Sequence, residues 1–225
     1  MIRLHFHPSP NPMKVLLMLE ETGLDYEIAP VDTFKGEQHD PAFTAISPNA
    51  KVPVIEDDGT VVFDSNAILL HLADRTGHFA PPSGTGRAEL LSWLFFIATG
   101  LSPFSGQAVH FLHMCPEEIP YAKNRYLKEV ERHYAVMDKR LAETEWLAGA
   151  EYSIADMATW GWLNLSSYFF GDAGLSAWPK LNRMHAKISE RPAAIRALKV
   201  KDELAFKQEF DEKAARALFP QNYAA

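Results

Sequence analysis

Cysteine is almost absent from this sequence: its 225 residues include one, Cys115. A single cysteine excludes a disulfide within the chain and fits a reducing compartment. Cys115 has no C-x-x-C partner, so we interpret it as a bystander. No spacing of His, Cys and Asp resembles a zinc site, and we therefore expect no bound metal.

Basic charge and long apolar runs are also scarce. Lys and Arg number 22 against 29 Asp and Glu, a formal net charge of -7, which does not point to nucleic acid or an anionic membrane as a partner. No stretch approaches the roughly 20 apolar residues of a membrane span. The N-terminus MIRLHFHPSP lacks the basic start and apolar run of a secretory signal. We therefore expect a cytoplasmic globular protein.

The first 80 residues alternate between strand and helix patterns. Predicted strands cover residues 2–6, 26–31, 52–55 and 61–63. Predicted helices begin at Asn11-Pro12, Asp40-Pro41 and Asp64-Ser65, where a capping residue stands at or near each start. The first two strands flank one helix and should be parallel, whereas Asp58-Gly59 predicts a hairpin. A four-stranded mixed sheet with helices on both faces follows.

The remaining chain is almost wholly helical in pattern. Residues 79–87 contain Pro81, Pro82, Gly84 and Gly86 and are predicted to be a linker between domain 1–78 and domain 88–225. Helices are predicted over 88–98, 121–143, 152–168 and 179–190. Gly100 to Pro103 should break or bend the first of these. The fold class is therefore α/β followed by all-α.

The start of the first helix is the first candidate site. A helix N-terminus favours an anion such as a thiolate. Asn11 could cap the helix through its oxygen and still offer its N–H groups, and Ser9 adds a hydroxyl donor. Lowering a thiol pKa by two units takes about 2.7 kcal/mol, more than the 0.3–1 kcal/mol of a helix terminus, so a side-chain donor is needed. Ser9 and Asn11 are equally well explained as turn and cap residues.

Two further segments suit a small peptide ligand. Pro53 follows Val52 at the start of a strand; a cis bond there would turn the Val52 backbone groups toward the first helix, although a trans bond is the usual case. Ser65 can bind a carboxylate at a helix N-terminus and Asp64 can accept an ammonium group, which together describe an amino-acid head. Either residue could instead only cap the helix.

These features in this order resemble the glutathione S-transferase family, a thioredoxin-like domain followed by an all-helical domain. The resemblance rests on Val52-Pro53, Asp64-Ser65 and the capping box in residues 152–156, where Ser153 caps a helix and Asp156 reaches back to it. Within the family, the sequence is most similar to the bacterial Nu class. The segments that carry this likeness are residues 8–11, 46–49, 106–111, 119–122 and 152–162.

That resemblance implies a homodimer that uses glutathione as co-substrate, commonly with two glutathione molecules or one glutathione disulfide per subunit. Residues 4–7 hold no tyrosine and the first helix start holds no cysteine, which leaves Ser9 and Asn11 as the implied thiolate site. Ser9 replaces the usual Thr, and Ala108-Val109 replaces a more polar pair beside the second substrate. Implied glutathione-binding residues are Gln38, Lys51, Val52, Pro53, Asp64, Ser65 and, from across the dimer, Arg132.

Three functions remain open at this point. A glutathione thiolate held by Asn11 and Ser9 would attack a disulfide, and a second glutathione would resolve the mixed product. The same thiolate could attack an electrophilic carbon, as in a conjugating transferase. A non-catalytic glutathione-binding protein could use the same fold, although it need not keep the full set of site residues.

Overall fold

A computed structural model describes residues 1–223, and its N-terminal part is built on a four-stranded sheet. The strands are β1 (Ile2–Phe6), β2 (Tyr26–Pro30), β3 (Val54–Asp57) and β4 (Thr60–Phe63). They lie in the order β2-β1-β3-β4, with β1 and β2 parallel and the other pairs antiparallel. The predicted mixed sheet is confirmed, including the two-residue turn at Asp58-Gly59, where both residues have positive φ.

Both faces of this sheet are covered. The helices of this part are α1 (Pro10–Thr22), α2 (Pro41–Thr44) and α3 (Ser65–Thr76). On one face, Ile55 of β3 joins the main core with the apolar residues of α1 and α3. On the other face, its neighbour Val54 packs with Phe43 of α2. Successive side chains of β3 therefore point to opposite faces of the sheet and pack against the helices on both sides, as in a thioredoxin-like domain.

The start of α1 differs from the prediction. Ser9, in extended conformation, is the residue before the helix, and Pro10 is its first residue. Asn11 therefore lies inside the first turn and does not cap the helix. The sequence offers the cap-then-proline pattern twice, at Ser9-Pro10 and at Asn11-Pro12, and the chain uses the first. At the other end Gly23 terminates the helix with φ 65°, as predicted.

The rest of the described chain is helical. Its helices are α4 (Gly84–Phe96), α5 (Ser102–Val109), α6 (Pro120–Arg140), α7 (Ile154–Leu163), α8 (Ser166–Phe170), α9 (Pro179–Ser189), α10 (Pro192–Glu203) and α11 (Glu212–Leu218). Helix α4 begins inside the segment 79–87. The helix predicted over 152–168 is two helices, α7 and α8, and the capping box of Ser153 and Asp156 at the start of α7 is formed as predicted.

At Gly100 to Pro103, where a break or a bend was predicted, the helix does not break. The chain passes from α4 to α5 through a π-helical turn, Ile97–Leu101, and stays helical. A π turn inserts an extra residue into the helix and accommodates irregular packing. Here a Cβ on Gly100 would lie 2.3 Å from Nε2 of the buried His133, so the turn brings the backbone against α6. A second π turn, His110–Met114, follows α5.

The joined helical run Gly84–Met114 has the length and composition of a membrane span, with a mean hydropathy of 1.2 in its most apolar window. No span was expected from the sequence. Length and hydropathy alone do not separate such a span from the core helix of a globular protein. Leu90, Leu94, Ile97 and Leu101 of this run lie buried in the main core, while Phe95 is exposed.

Helix α7 of the helical part packs directly along α1 of the sheet part. The approach is closest at Gly161, where a Cβ would lie 2.3 Å from the backbone oxygen of Pro10. Only glycine permits this distance without a shift of one helix. The start of α1, the first candidate site, is therefore in backbone contact with the helical part.

Candidate functional site

A cavity of about 160 Å³ opens between the start of α1, the segment before β3 and the start of α3. Its lining residues are Asn11, Ser47, Asn49, Lys51, Val52, Pro53, Phe63, Asp64 and Ser65. Six of the nine residues predicted to form the site thus share one cavity. Ser47, Asn49 and Phe63 were not predicted to have a role. Ser47 and Asn49 lie in a segment that carried the family resemblance, which was the available signal.

Asn11 is the residue of α1 that lines this cavity. Its Oδ1 accepts a hydrogen bond of 3.2 Å from the indole Nε1 of Trp162, on α7. Because the carboxamide is planar, its two N–H donors are directed away from that indole. Pro10 and Pro12 have no N–H, and the N–H of Met13 is bonded to Ser9 at 3.1 Å. The donors at this helix start therefore belong chiefly to Asn11.

Ser9 lies beside the cavity without lining it. Its hydroxyl lies 3.5 Å from the backbone oxygen of His7, the limit of a hydrogen bond, and it does not cap α1. A hydroxyl held this weakly is free to rotate toward a ligand. Ser9 thus keeps a donor at the helix start.

The segment before β3 is held by a small hydrogen-bonded loop. Ser47 is buried; its hydroxyl donates to the Lys51 backbone oxygen at 2.9 Å and accepts from the Lys51 N–H at 3.2 Å. The Val52-Pro53 peptide bond that follows is cis. Val52 and Pro53 both line the cavity, so backbone next to Asn11 is available to an extended ligand.

Asp64 and Ser65 form the opposite wall at the start of α3. Asp64 adopts φ 70°, and its Oδ1 accepts the N–H groups of Asn66 and Ala67 at 2.9 and 3.1 Å. Asp64 does cap the helix, but one oxygen takes both bonds. Its Oδ2 makes no hydrogen bond within residues 1–223, and neither does the Ser65 hydroxyl. A carboxylate oxygen and a hydroxyl are therefore available to an amino-acid head.

Lys14 lies beneath this wall and was missed from the sequence. It is fully buried, one turn after Asn11 on α1, and its Nζ donates to Asn66 Oδ1 at 3.0 Å. Burial lowers its pKa to about 7, and the negative charge of Asp64 opposes that shift. A lysine inside an apolar helix face, between Met13 and Val15, was the signal in the sequence.

Gln38 does not line the cavity. It is 3% exposed, and its Nε2 donates to the backbone oxygen of Ala217, on α11, at 2.9 Å. His39 Nε2 lies 2.8 Å from the same oxygen. The C-terminal helix therefore covers the residue that was predicted to contact a ligand, across 179 positions of sequence.

Arg132 is also separate from the cavity of its own chain. It lies on α6 with its side chain 53% exposed, and it donates to Glu129 at 2.9 and 3.0 Å. Arg125 and Arg132 hold the pKa of Glu129 down to about 2. The guanidinium is held along the helix surface by Glu129, and Arg132 does not line the cavity.

A second cavity, of about 310 Å³, lies between the second π turn and the C-terminal segment. Its lining residues are His110, Phe111, Met114, Cys115, Pro116, Glu117, Ile119, Phe219, Asn222 and Tyr223. Cys115 is thus half-buried beside aromatic side chains, and Ala108 and Val109 are not in this lining. No group of three metal-ligating side chains lies together in the described part of the chain.

Comparison with known proteins finds matches to one family over both the sheet part and the helical part of the chain. The glutathione S-transferase N-terminal domain model matches residues 8–75, and the corresponding C-terminal domain model matches residues 110–197. The disulfide-bond oxidoreductase YfcG of Escherichia coli is 44% identical over 205 residues, which cover 88% of this chain and 94% of that protein.

Two solved structures share this fold over most of the chain. A glutathione transferase family member from Pseudomonas fluorescens with two glutathiones bound has a TM-score of 0.83 and 36% identity, covering 88% of this chain and 92% of the other. A glutathione transferase from Pseudomonas putida with one glutathione disulfide per subunit has a TM-score of 0.82 and 34% identity, covering 88% and 91%.

Proposed function

The chain belongs to the glutathione S-transferase family, and we propose that it reduces small disulfides with glutathione. The name of the Escherichia coli relative, disulfide-bond oxidoreductase, supports this reaction over conjugation. The structural relatives that hold two glutathiones or one glutathione disulfide support it as well, because both are states that such a reaction passes through.

One observation carries the proposal: the Asn11 carboxamide presents its N–H donors at a cavity whose other walls suit glutathione. Asn11 has its oxygen engaged by Trp162, so the amide acts as a donor toward the cavity. A hydrogen bond to a charged group contributes about 1.5–3 kcal/mol, which lowers a thiol pKa by about one to two units. The increased thiolate fraction at neutral pH makes glutathione a better nucleophile.

The reaction balances with two glutathiones per disulfide. A glutathione thiolate held by Asn11 and Ser9 attacks one sulfur of R–S–S–R; a new S–S bond forms, the old one breaks, and R–S⁻ leaves and takes up a proton. A second glutathione thiolate then attacks the mixed disulfide at the glutathione sulfur. Glutathione disulfide forms, the second R–S⁻ leaves and is protonated, and both electrons have come from glutathione.

The cavity walls suggest how glutathione lies. We assign the cysteinyl backbone to Val52 beside Pro53, the γ-glutamyl ammonium to the free oxygen of Asp64, and its carboxylate to Ser65. Lys51, at the cavity edge, is assigned to the glycyl carboxylate. These assignments use the groups that have no partner within residues 1–223.

In this scheme Gln38 would contact glutathione only after a movement of α11. Its amide nitrogen is bonded to Ala217, so a glutathione contact through that nitrogen needs α11 to move. Deleting residues 211–225 should then expose Gln38 and change glutathione affinity, which calorimetry measures. An unchanged affinity would remove Gln38 from the binding site.

A homodimer in the cytoplasm completes the proposal. Only 33% of the most apolar window of the helical run Gly84–Met114 is buried and Phe95 is 59% exposed, so a second copy of the chain could cover this run. Arg132 would then reach the partner's ligand. A reducing compartment supplies glutathione, which the reaction consumes. Light scattering tests the dimer.

The test of function is turnover of a small hydroxyalkyl disulfide by glutathione. We expect turnover well above the uncatalysed rate and a loss of about 10- to 100-fold in Asn11→Ala, since one charge-assisted donor is removed. Asn182→Ala, an exposed asparagine on α9, is the matched control and should turn over at the wild-type rate. Faster conjugation of an aryl halide would instead favour a transferase, and glutathione binding without either reaction a non-catalytic protein.

A further inference from the structure

The indole of Trp162 joins the helical part of the chain to the one side chain of α1 that lines the cavity. Sequence reasoning places Trp162 in the core, and it is indeed 6% exposed. Its Nε1–H, however, does not form a hydrogen bond within the core. It donates to Asn11 Oδ1 at 3.2 Å, across 151 positions of sequence. A buried tryptophan usually needs a hydrogen-bond partner for this group, and here the partner is Asn11, the proposed hydrogen-bond donor to the glutathione thiolate.

This bond decides which way the Asn11 amide faces. The oxygen and nitrogen of a carboxamide are nearly equal in size, so an unrestrained amide can present either one to a ligand. An oxygen facing a thiolate would repel it. The indole N–H is a donor only, so it pairs with the amide oxygen and not with the amide nitrogen. The amide is thereby fixed with its donors directed away from Trp162.

The geometry around this bond is rigid because the two helices touch through backbone. At Gly161, the neighbour of Trp162, α7 lies so close to α1 that an added Cβ would be 2.3 Å from the backbone oxygen of Pro10. Pro10 and Pro12 restrict the backbone on both sides of Asn11. The two backbones are therefore fixed relative to each other beside this bond, and the buried indole, 6% exposed, has little room to rotate.

We propose that Trp162 is a positioning residue for glutathione activation, which holds the Asn11 amide with its N–H donors toward the bound sulfur. This inference rests on the proposed function, since it assigns to Trp162 the orientation of the group that stabilises the thiolate. It couples the helical domain to the implied thiolate site, whose residues Ser9 and Asn11 lie in the thioredoxin-like domain.

Trp162→Phe removes the N–H and keeps an aromatic ring. The pKa of the bound glutathione thiol, followed by thiolate absorbance against pH, should rise by about half a unit to one unit, so that roughly three- to ten-fold less thiolate forms at a fixed pH below that pKa. Affinity for S-methylglutathione, which has no ionisable thiol, should stay within about two-fold.

Trp160→Phe is the matched control. Trp160 lies two residues earlier on α7, is fully buried, and donates its indole N–H to Ser189 Oγ at 3.0 Å. The control loses an equally buried indole hydrogen bond that does not reach Asn11. It should lower stability as Trp162→Phe does and leave the thiol pKa unchanged. An equal pKa rise in both variants would overturn the positioning role.

A double-mutant cycle separates this inference from the proposed function. In an Asn11→Ala background, Trp162→Phe should have no further effect on the thiol pKa, because there is no amide left to orient. Additive effects, or a pKa that rises in Asn11→Ala and not in Trp162→Phe, would overturn the inference and leave the proposed function standing. No rise in Asn11→Ala would overturn the thiolate role of Asn11, and the inference with it.

A measurement on the folded protein covers the case in which Trp162→Phe does not fold. The indole N–H of Trp162 can be followed by nitrogen-15 NMR, and its hydrogen exchange should accelerate at least ten-fold in Asn11→Ala relative to the Asn182→Ala control. The Trp160 indole N–H in the same spectra should not change. Equal exchange of the Trp162 N–H in both variants would contradict the bond to Asn11.

Discussion

Replacing Lys14 by methionine should make the protein more stable and its glutathione binding weaker. Methionine has a similar length and no charge, so it fits a site that is fully buried. Burial lowers the pKa of Lys14 from 10.5 to about 7. At pH 7.5 this shift corresponds to about 4 kcal/mol of lost stability. The bond to Asn66 recovers about 1 kcal/mol, so the variant should gain about 2–3 kcal/mol.

The pH dependence identifies the cause of that gain. In the unfolded chain Lys14 keeps its proton up to about pH 10.5, whereas the folded chain releases it near pH 7. The unfolded state therefore binds more protons between these values, and the wild-type contribution to stability rises with pH across them. Of the roughly 4 kcal/mol lost at pH 7.5, about 1.5 kcal/mol remains at pH 9.5. The advantage of Lys14→Met should shrink by about 2.5 kcal/mol.

Urea unfolding at both pH values measures this advantage directly. Lys199→Met, at an exposed lysine on α10, is the control and should change stability by less than about 0.5 kcal/mol. An advantage for Lys14→Met that does not shrink between pH 7.5 and 9.5 would show that the lowered pKa of Lys14 is not the cause of the gain. A variant less stable than wild type at both values would contradict the gain itself.

Glutathione affinity should move in the opposite direction. Lys14 fixes Asn66, the neighbour of Ser65 in the proposed γ-glutamyl site, through its bond of 3.0 Å. Losing this bond should weaken binding by about ten-fold, the effect of roughly 1.4 kcal/mol, measurable by calorimetry. Unchanged affinity would leave Lys14 without a part in binding.

Two other substitutions test the packing of the helical part. Gly100→Ala should cost about 1–3 kcal/mol of stability, because the new Cβ would lie 2.3 Å from His133. Gly106→Ala is the control: its Cβ meets nothing nearer than 3.7 Å, so it should be neutral or slightly stabilising in urea unfolding. Equal effects of the two substitutions would contradict the π-turn packing. Burial raises the pKa of Asp156 from 3.8 to about 6, so the contribution of Asp156 to stability should fall as the pH rises from about 4 to 6. Asp156→Asn should cost about 2–4 kcal/mol at pH 4.5, because its amide nitrogen opposes the Ser153 donors, and should cost less at pH 7 in urea unfolding; an equal cost at both values would contradict the assignment.

Local chemistry in the sequence predicts most of the secondary structure. Asp58-Gly59 gives the hairpin because both positions require positive φ, and Ser153 with Asp156 gives the start of α7 through reciprocal capping. The start of α1 was misplaced because two cap-then-proline patterns lie two residues apart. Only the conformation of Ser9 distinguishes them.

Contacts distant in sequence account for what could not be predicted. The bonds of Trp162 to Asn11 and of Gln38 to Ala217 span 151 and 179 positions. Neither hydrophobic periodicity nor helix-capping residues in the sequence predict hydrogen bonds between such distant positions. The helix continues through Gly100 because His133, on another helix, fills the space beside it. Asn11, Val52, Pro53, Asp64 and Ser65, which were predicted from local patterns, therefore line the cavity, whereas Ser9 does not. The groups that orient or cover the predicted residues became visible only in the fold.

We propose that Asn11, and not Cys115, activates the thiol of bound glutathione. The decisive measurement is titration of that thiol by its thiolate absorbance in the wild type, in Asn11→Ala and in Cys115→Ser. We expect a bound pKa about one to two units below that of free glutathione, lost in Asn11→Ala and kept in Cys115→Ser. A bound pKa equal in wild type and Asn11→Ala, or one that rises in Cys115→Ser, would contradict it.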